Sequence, residues 1–75
     1  MGEPMTLREH RESRGMSIRA LAALAEPLNG TRLSTQTIVS IEQGKPARIS
    51  TYHRIARALG IAPMELREFR DLVTP

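Results

Sequence analysis

The segment that decides the fold is S-T-Q-T-I-V-S-I-E-Q-G, which runs from Ser34 to Gly44. Serine is a favoured residue at a helix N-cap, and glycine commonly ends a helix because it tolerates the left-handed backbone found there. Ile38 and Ile41 are three positions apart and fall on one face of a helix. The segment therefore predicts a short helix over residues 35–43 that buries its two isoleucines.

The other face of this predicted helix is polar but uncharged. Its members have small or uncharged side chains, namely Thr35, Gln36, Val39, Ser40 and Gln43. A surface helix that serves only solubility usually carries acidic and basic residues four positions apart. Hydroxyl, amide and methyl groups are instead the groups that contact base edges in the major groove of DNA. We interpret the segment as a DNA-recognition helix; the alternative is a short polar surface helix without a ligand.

Length and composition predict one small domain with a single core. The chain has 75 residues, and we expect one domain over 1–75, a core within 6–73 and a flexible segment at 1–5. The absence of cysteine excludes disulfides and thiolate metal sites. No apolar run approaches the roughly 20 residues that cross a bilayer, and no signal-peptide stretch is present. We therefore expect a cytoplasmic location, on the nucleoid when DNA is bound, and no membrane partner.

Positive charge is concentrated in the middle of the chain. The formal net charge is +3, and residues 32–58 carry all of the excess, with Glu42 as their single acid. The basic residues of this segment are Arg32, Lys45, Arg48, Arg54 and Arg57. Their position around the predicted recognition helix is where a polyanion would bind.

Helical periodicity predicts four more helices, and no strand-like alternation is visible. The first begins at the capping box T-L-R-E at Thr6 and runs to Arg14, and the second follows the N-cap Ser17. A fourth helix follows Ser50 and ends near Leu59. The last helix opens with proline in its first turn and places three apolar residues on one face, namely Leu66, Phe69 and Val73. The prediction is a compact all-α domain of five helices.

Four segments of the chain, taken in their order along the sequence, resemble the helix-turn-helix domain of the phage repressor and Cro family, the XRE-type regulators. The matching segments are L-R-E-H-R-E-S-R-G-M-S, R-A-L-A-A-L-A, S-T-Q-T-I-V-S-I-E-Q-G-K and Y-H-R-I-A-R-A-L-G-I, within about residues 6–69. The resemblance implies a lambda-repressor-like fold whose third helix enters the major groove. It also implies a sequence-specific, double-stranded DNA-binding regulator of the repressor type that needs no cofactor.

The resemblance assigns roles to individual residues. The base-contacting positions of the family correspond to Thr35, Gln36 and Ser40, and an amide such as Gln36 can bond adenine at two points. Val39 lies where it would contact a thymine methyl, with ordinary packing as the alternative. The residues that the resemblance implies as phosphate contacts are Ser17, Arg32, Ser34, Gln43, Lys45 and Arg48. Arg54 and Arg57 are predicted to form a solvated face instead.

The family pattern also implies a structural ion pair. The glutamate of I-E-x-G corresponds to Glu42, and its expected partner is Arg11. Such a pair would connect the first helix to the recognition helix and hold its angle. If the pair is buried, removal of one partner costs several kcal/mol, in the range of about 3–5.

The chain departs from the family pattern in two places. The loop E-P-L-N-G-T-R-L at residues 26–33 is roughly six residues longer than usual, so an extended connection between helices 2 and 3 is expected. We interpret Leu33 as the core residue of this turn. The rest of the loop is either a passive insertion or a means for Thr31 or Arg32 to contact phosphate. Ile18 stands where many members carry a phosphate-binding glutamine, although Ser17 and nearby amides remain available.

Catalytic and metal sites find no support in the sequence. His10 and His53 lack metal-binding spacing, and His10 is interpreted as a partly buried packing residue. No serine lies in a nucleophile motif and no glycine-rich phosphate loop is present. We therefore expect no enzyme activity, no metal and no small-molecule substrate. The alternative function is a protein-interaction module of the same fold, such as the antidote subunit of a toxin–antitoxin pair.

The last helix also bears on assembly. One short recognition helix covers about one half-site, so operator affinity usually requires two domains. We predict a homodimer through the last helix, with Met64, Phe69 and Leu72 as the candidate interface residues. The alternative is that these are isolated apolar residues with no role in assembly.

Overall fold

The computed structural model describes residues 4–25 and 33–74. Within these ranges the chain forms five α-helices and no strand. The helices are α1 (Leu7–Ser13), α2 (Ile18–Leu24), α3 (Thr35–Glu42), α4 (Ile49–Leu59) and α5 (Arg67–Val73), with a 3-10 turn at Pro63–Glu65 before α5. The prediction of an all-α domain of five helices is confirmed.

Side-chain caps fix the beginnings of the first three helices. The Thr6 N–H donates to the Glu9 carboxylate at 2.8 Å, and the Glu9 N–H donates to the Thr6 hydroxyl at 3.2 Å, which completes the predicted capping box. The hydrogen bond from the Thr6 N–H lowers the pKa of the Glu9 carboxyl. The Ser17 and Ser34 hydroxyls accept from backbone N–H groups in the first turns of α2 and α3. The polar residues at these positions therefore set where each helix starts.

Four predicted helix boundaries are wrong. α1 ends at Ser13 and α3 at Glu42, each one residue before the predicted end. α4 begins at Ile49, before Ser50, because the Thr51 N–H already donates to the Arg48 carbonyl at 2.9 Å and closes the first turn there. The predicted last helix is divided, because the N–H groups of Glu65 and Leu66 bond carbonyls three residues back in a 3-10 turn. The backbone at Leu66 is then extended before α5 begins.

The core is continuous across all five helices. Its buried apolar members are Leu7, Leu21, Ala22, Ala25, Leu33, Ile38, Ile41, Tyr52, Ile55, Ala56, Leu59, Leu66 and Phe69. Leu33 occupies the core place predicted for it, and Ile18 is half-buried against the same cluster. His10 is a packing residue, as predicted: it is buried, and its ring Nε2 lies 2.8 Å from the Glu65 carbonyl oxygen.

The two apolar predictions for α5 need correction. Val73 is 42% exposed and does not continue the buried stripe of Leu66 and Phe69, since α5 ends at this residue beyond the edge of the core. Phe69 is only 7% exposed and packs in the core, so the prediction that it lines a dimer interface is wrong. Met64 and Leu72 are exposed, as the prediction of an interface requires.

The two ends of the domain are joined. The Leu7 N–H at the start of α1 donates to both Glu68 carboxylate oxygens, at 2.9 and 3.1 Å. The Arg67 N–H donates to the Met5 carbonyl at 3.1 Å. Met5, which belongs to the segment predicted to be flexible, is therefore bonded to α5. Residues 1–3 and the predicted long loop up to Arg32 lie outside the described residues.

Candidate nucleic-acid interface

α3 presents the predicted polar face to solvent. Thr35 and Gln36 in its first turn are exposed, as is Gln43 just past its end, while Ile38 and Ile41 are buried. Val39 and Ser40 are half-buried at the border between the two faces. The side chains that the sequence assigned to base contact therefore follow one another along one accessible side of the helix. None of them is charged.

A largely buried ion pair fixes the C-terminal end of α3 to α1. The Arg11 guanidinium donates to both Glu42 carboxylate oxygens, through Nε at 2.8 Å and Nη2 at 3.2 Å. The two side chains are only 12% and 11% exposed. The hydrogen bond to Glu42 raises the pKa of Arg11, so the guanidinium remains charged. The ion pair that the family resemblance implied is thus present, with the two-point geometry that fixes orientation.

Arg11 also supports the turn that follows α1. Its Nη1 donates to the Met16 carbonyl at 2.9 Å, directly before the N-cap of α2. One guanidinium therefore bonds α1, α3 and the entry to α2. A tilt of α3 relative to the entry of α2 would strain these bonds, so the pair helps to fix how α3 is presented.

The loop between α3 and α4, residues 44–48, carries two cationic side chains. Gly44 has a left-handed backbone with φ of +89°, which turns the chain away from α3 as predicted. The Lys45 N–H then donates to the Ser40 carbonyl at 3.0 Å. Lys45 and Arg48 are both exposed, and within the described part of the chain neither is in an ion pair. Both cationic groups are therefore available beside the end of α3.

The two capping serines lie at the other places where phosphate contact was predicted. Ser17 and Ser34 are exposed, and each hydroxyl accepts a backbone hydrogen bond while its own proton stays available to an acceptor. Ile18, beside Ser17, packs toward the core and adds no polar group. Arg32 lies outside the described residues.

Arg54 has a different role from the predicted one. Its Nε donates to the Ala25 carbonyl at 3.2 Å, which satisfies an end carbonyl of α2. The prediction of a solvated Arg54 is therefore wrong, since the α2 terminus lies within its reach, whereas Arg57 is exposed as predicted. Sequence reasoning also missed the Tyr52 hydroxyl, which accepts from the Ala47 N–H at 3.1 Å. The available signal was a tyrosine at a core position, because a buried hydroxyl usually has a partner.

Among the described residues, no three His, Asp or Glu side chains lie close enough together to hold a metal ion. None of the helices in residues 4–25 and 33–74 is long and apolar enough to cross a bilayer.

A family model described as a helix-turn-helix domain matches residues 5–69, which include all of α1 to α4 and the beginning of α5. The chain belongs to this helix-turn-helix family. The family is of the XRE/Cro type, as the resemblance predicted, and such domains are DNA-binding and typically not enzymes. Neither the curated proteins nor the solved structures contain a match to this helix-turn-helix chain.

Proposed function

We propose that this domain is a sequence-specific regulator of the repressor type that binds double-stranded DNA and inserts α3 into the major groove. The observation that carries the proposal is the exposed, uncharged face of α3, followed at once by the cationic side chains of Lys45 and Arg48. Hydroxyl and amide groups can bond base edges, and the adjacent cations can bind the sugar–phosphate backbone.

The dimensions and order of these elements support the proposal. α3 has eight residues, and an α-helix with its side chains is about 10–12 Å across, which fits the major groove of about 12 Å width. In helix-turn-helix complexes the second helix of the motif is the recognition helix, and its N-terminal residues contact base edges. Thr35 and Gln36 occupy that position in α3, and Val39 and Ser40 follow one turn later.

The proposed phosphate contacts surround this face. Ser17 and Ser34 lie at the N-termini of α2 and α3, where backbone amides and the helix dipole favour an anion. Gln43, Lys45 and Arg48 lie at or beyond the C-terminal end of α3. Arg32 belongs to the proposed set on sequence grounds alone.

We expect Gln36→Ala and Lys45→Ala to change DNA binding in different ways. Loss of the Gln36 amide should weaken binding to the preferred DNA site by about 1–3 kcal/mol and barely change binding to random duplex, because only base contacts discriminate between sequences. Lys45→Ala should weaken both by a similar factor, because phosphates are common to all sequences. The measurement is a fluorescence anisotropy titration against a site selected from random oligonucleotides and against a scrambled duplex of equal length.

Arg57→Ala is the matched control for charge. Arg57 is exposed on α4 and outside the proposed interface, so its removal should change both affinities less than Lys45→Ala does. If Gln36→Ala leaves the selected sequence preference unaltered, the assignment of α3 residues to base contacts is incorrect. If the wild-type chain is released from heparin by little salt and shows no preference among duplexes, the alternative of a protein-interaction module gains support.

We further propose that two copies bind one operator as a two-fold dimer. Met64, Leu72 and Val73 expose apolar side chains in the last part of the domain, on the 3-10 turn and α5. A two-fold pair would place two α3 helices roughly 34 Å apart on one side of the DNA, one helical turn of the duplex. The operator is then a near-palindrome.

We expect Leu72→Glu to convert a dimeric complex into a monomeric one. A carboxylate buried in an apolar interface without a partner is strongly unfavourable, so the two copies should separate. Sedimentation with the palindromic duplex in excess should give two protomers per bound duplex for the wild type and one for the variant. Leu24→Glu, at an exposed leucine on α2, should retain two. One protomer per duplex for the wild type at saturation would contradict the dimer.

A further inference from the structure

The Tyr52 side chain spans from the core to the 44–48 loop. It is 2% exposed on α4, and its ring packs against Phe69 of α5 with 5.5 Å between ring centroids. At its other end, the hydroxyl oxygen accepts a hydrogen bond from the Ala47 N–H at 3.1 Å. The packed ring gives this hydroxyl a fixed position, so it is a rigid acceptor for the loop.

The loop has few other internal supports. At its start, the N–H groups of Gly44 and Lys45 bond the end of α3 at 2.9 and 3.0 Å, and at its end Arg48 is the N-cap of α4. Between them, Pro46 has no N–H to donate. Within the described structure, the bond from Ala47 to Tyr52 is therefore the hydrogen bond that holds the middle of the loop, beside the packing of the half-buried Ala47 side chain against the core.

The surroundings of the loop give this bond a consequence for Lys45. A groove beside the loop is lined by Lys45, Tyr52 and Leu72 together with two carboxylates of α5, Glu68 and Asp71. In the described structure Lys45 is ion-paired with neither carboxylate. A loop released from Tyr52 would be free to move the Lys45 ammonium toward these two carboxylates. An ion pair there would compete with a DNA phosphate for the positive charge of Lys45.

We propose that Tyr52 is a positioning residue for DNA binding. Its hydroxyl holds the 44–48 loop so that Lys45 and Arg48 lie beside the end of α3 before DNA arrives. An interface that is already ordered loses less conformational entropy on binding. The effect of Tyr52 on affinity rests on the proposed DNA-binding function, whereas its effect on the loop does not.

The test is a double-mutant cycle that combines Tyr52→Phe with Lys45→Ala. Phenylalanine retains the ring that packs on Phe69 and removes only the acceptor. We expect Tyr52→Phe to weaken binding to random duplex about two- to tenfold, the range of one net hydrogen bond, and to leave the preferred sequence unchanged. In the Lys45→Ala background the same change should have a clearly smaller effect, because coupled sites are not additive.

Two further measurements separate positioning from general stability. Amide exchange of Ala47, followed by NMR without DNA, should become faster in Tyr52→Phe, while exchange in α1 stays the same. Ser13→Ala removes another hydroxyl hydrogen bond, from Ser13 to the His10 carbonyl at 2.9 Å on α1, and should leave DNA affinity unchanged. All proteins are compared at a temperature at which circular dichroism shows them folded.

The outcomes distinguish this inference from the proposed function. If the wild type binds duplex and Tyr52→Phe weakens it equally with and without Lys45, or not at all, the positioning role is overturned. An unfolded Tyr52→Phe protein would also overturn it, because the hydroxyl would then support the fold as a whole. If the wild type binds no duplex, the proposed function fails, and unchanged Ala47 exchange in the variant would still refute the loop contact by itself.

Discussion

Replacement of Arg11 by methionine is expected to lower the free energy of unfolding by about 3–5 kcal/mol. The substitution leaves the Glu42 carboxylate, only 11% exposed, without its partner, and it also removes the bond to the Met16 carbonyl. A domain of 75 residues is typically stable by about 4–11 kcal/mol, so this single change should remove much of the total. Urea denaturation followed by circular dichroism measures the difference.

A second ion pair in the same domain provides the control. Arg8 and Glu12 pair at 3.0 Å on α1, but their side chains are 68% and 54% exposed. Arg8→Met should therefore cost at most about 1 kcal/mol, since exposed pairs contribute little. The double variant Arg11→Met with Glu42→Leu should recover a large part of the loss, because no uncompensated charge remains buried. Equal costs for Arg11→Met and Arg8→Met would contradict a buried pair.

Affinity for any duplex is expected to fall about a thousandfold between about 50 and 200 mM salt. In the proposed complex each protomer would contact phosphates through Arg32, Lys45 and Arg48, so a dimer would neutralise about six and the slope of log affinity against log salt should be near −5. Titrations of random duplex across a series of salt concentrations measure this slope directly. A slope indistinguishable from zero would exclude a polyanion as the partner.

Lys45→Ala extends the salt experiment. The variant removes one phosphate contact per protomer, so the slope for a dimer should become shallower by roughly 2. Gln36→Ala is the paired control, because a base contact releases no counterion and the slope should not change. A reduced slope for Gln36→Ala would place Gln36 on the backbone and not on a base.

Local sequence signals predicted most of the fold because they act over a few residues. Thr6, Ser17 and Ser34 are caps whose hydrogen bonds close within their own first turns. The apolar periodicity of α3 identified its buried face for the same reason. The exceptions lie where two local solutions compete, as at residues 63–66, where a 3-10 turn replaced the predicted α-helical turn.

The same distinction separates the features of the candidate site that could be predicted from those that could not. The exposed face of α3 followed from periodicity, and the Arg11–Glu42 pair followed from the family resemblance. Tyr52 and Arg54 were missed because their partners, the Ala47 N–H and the Ala25 carbonyl, are main-chain groups. Every residue carries such groups, so no pattern of side chains indicates which of them a distant hydroxyl or guanidinium will contact.

The joined ends of the domain determine how it responds to force. The Leu7–Glu68 hydrogen bonds link residues 61 positions apart, and the bond between Met5 and Arg67 lies beside them. Tension applied at the two ends of the chain would therefore load this junction before it reached any inner helix. We expect α1 and α5 to separate first under load, while α3 stays mechanically shielded until that junction has opened.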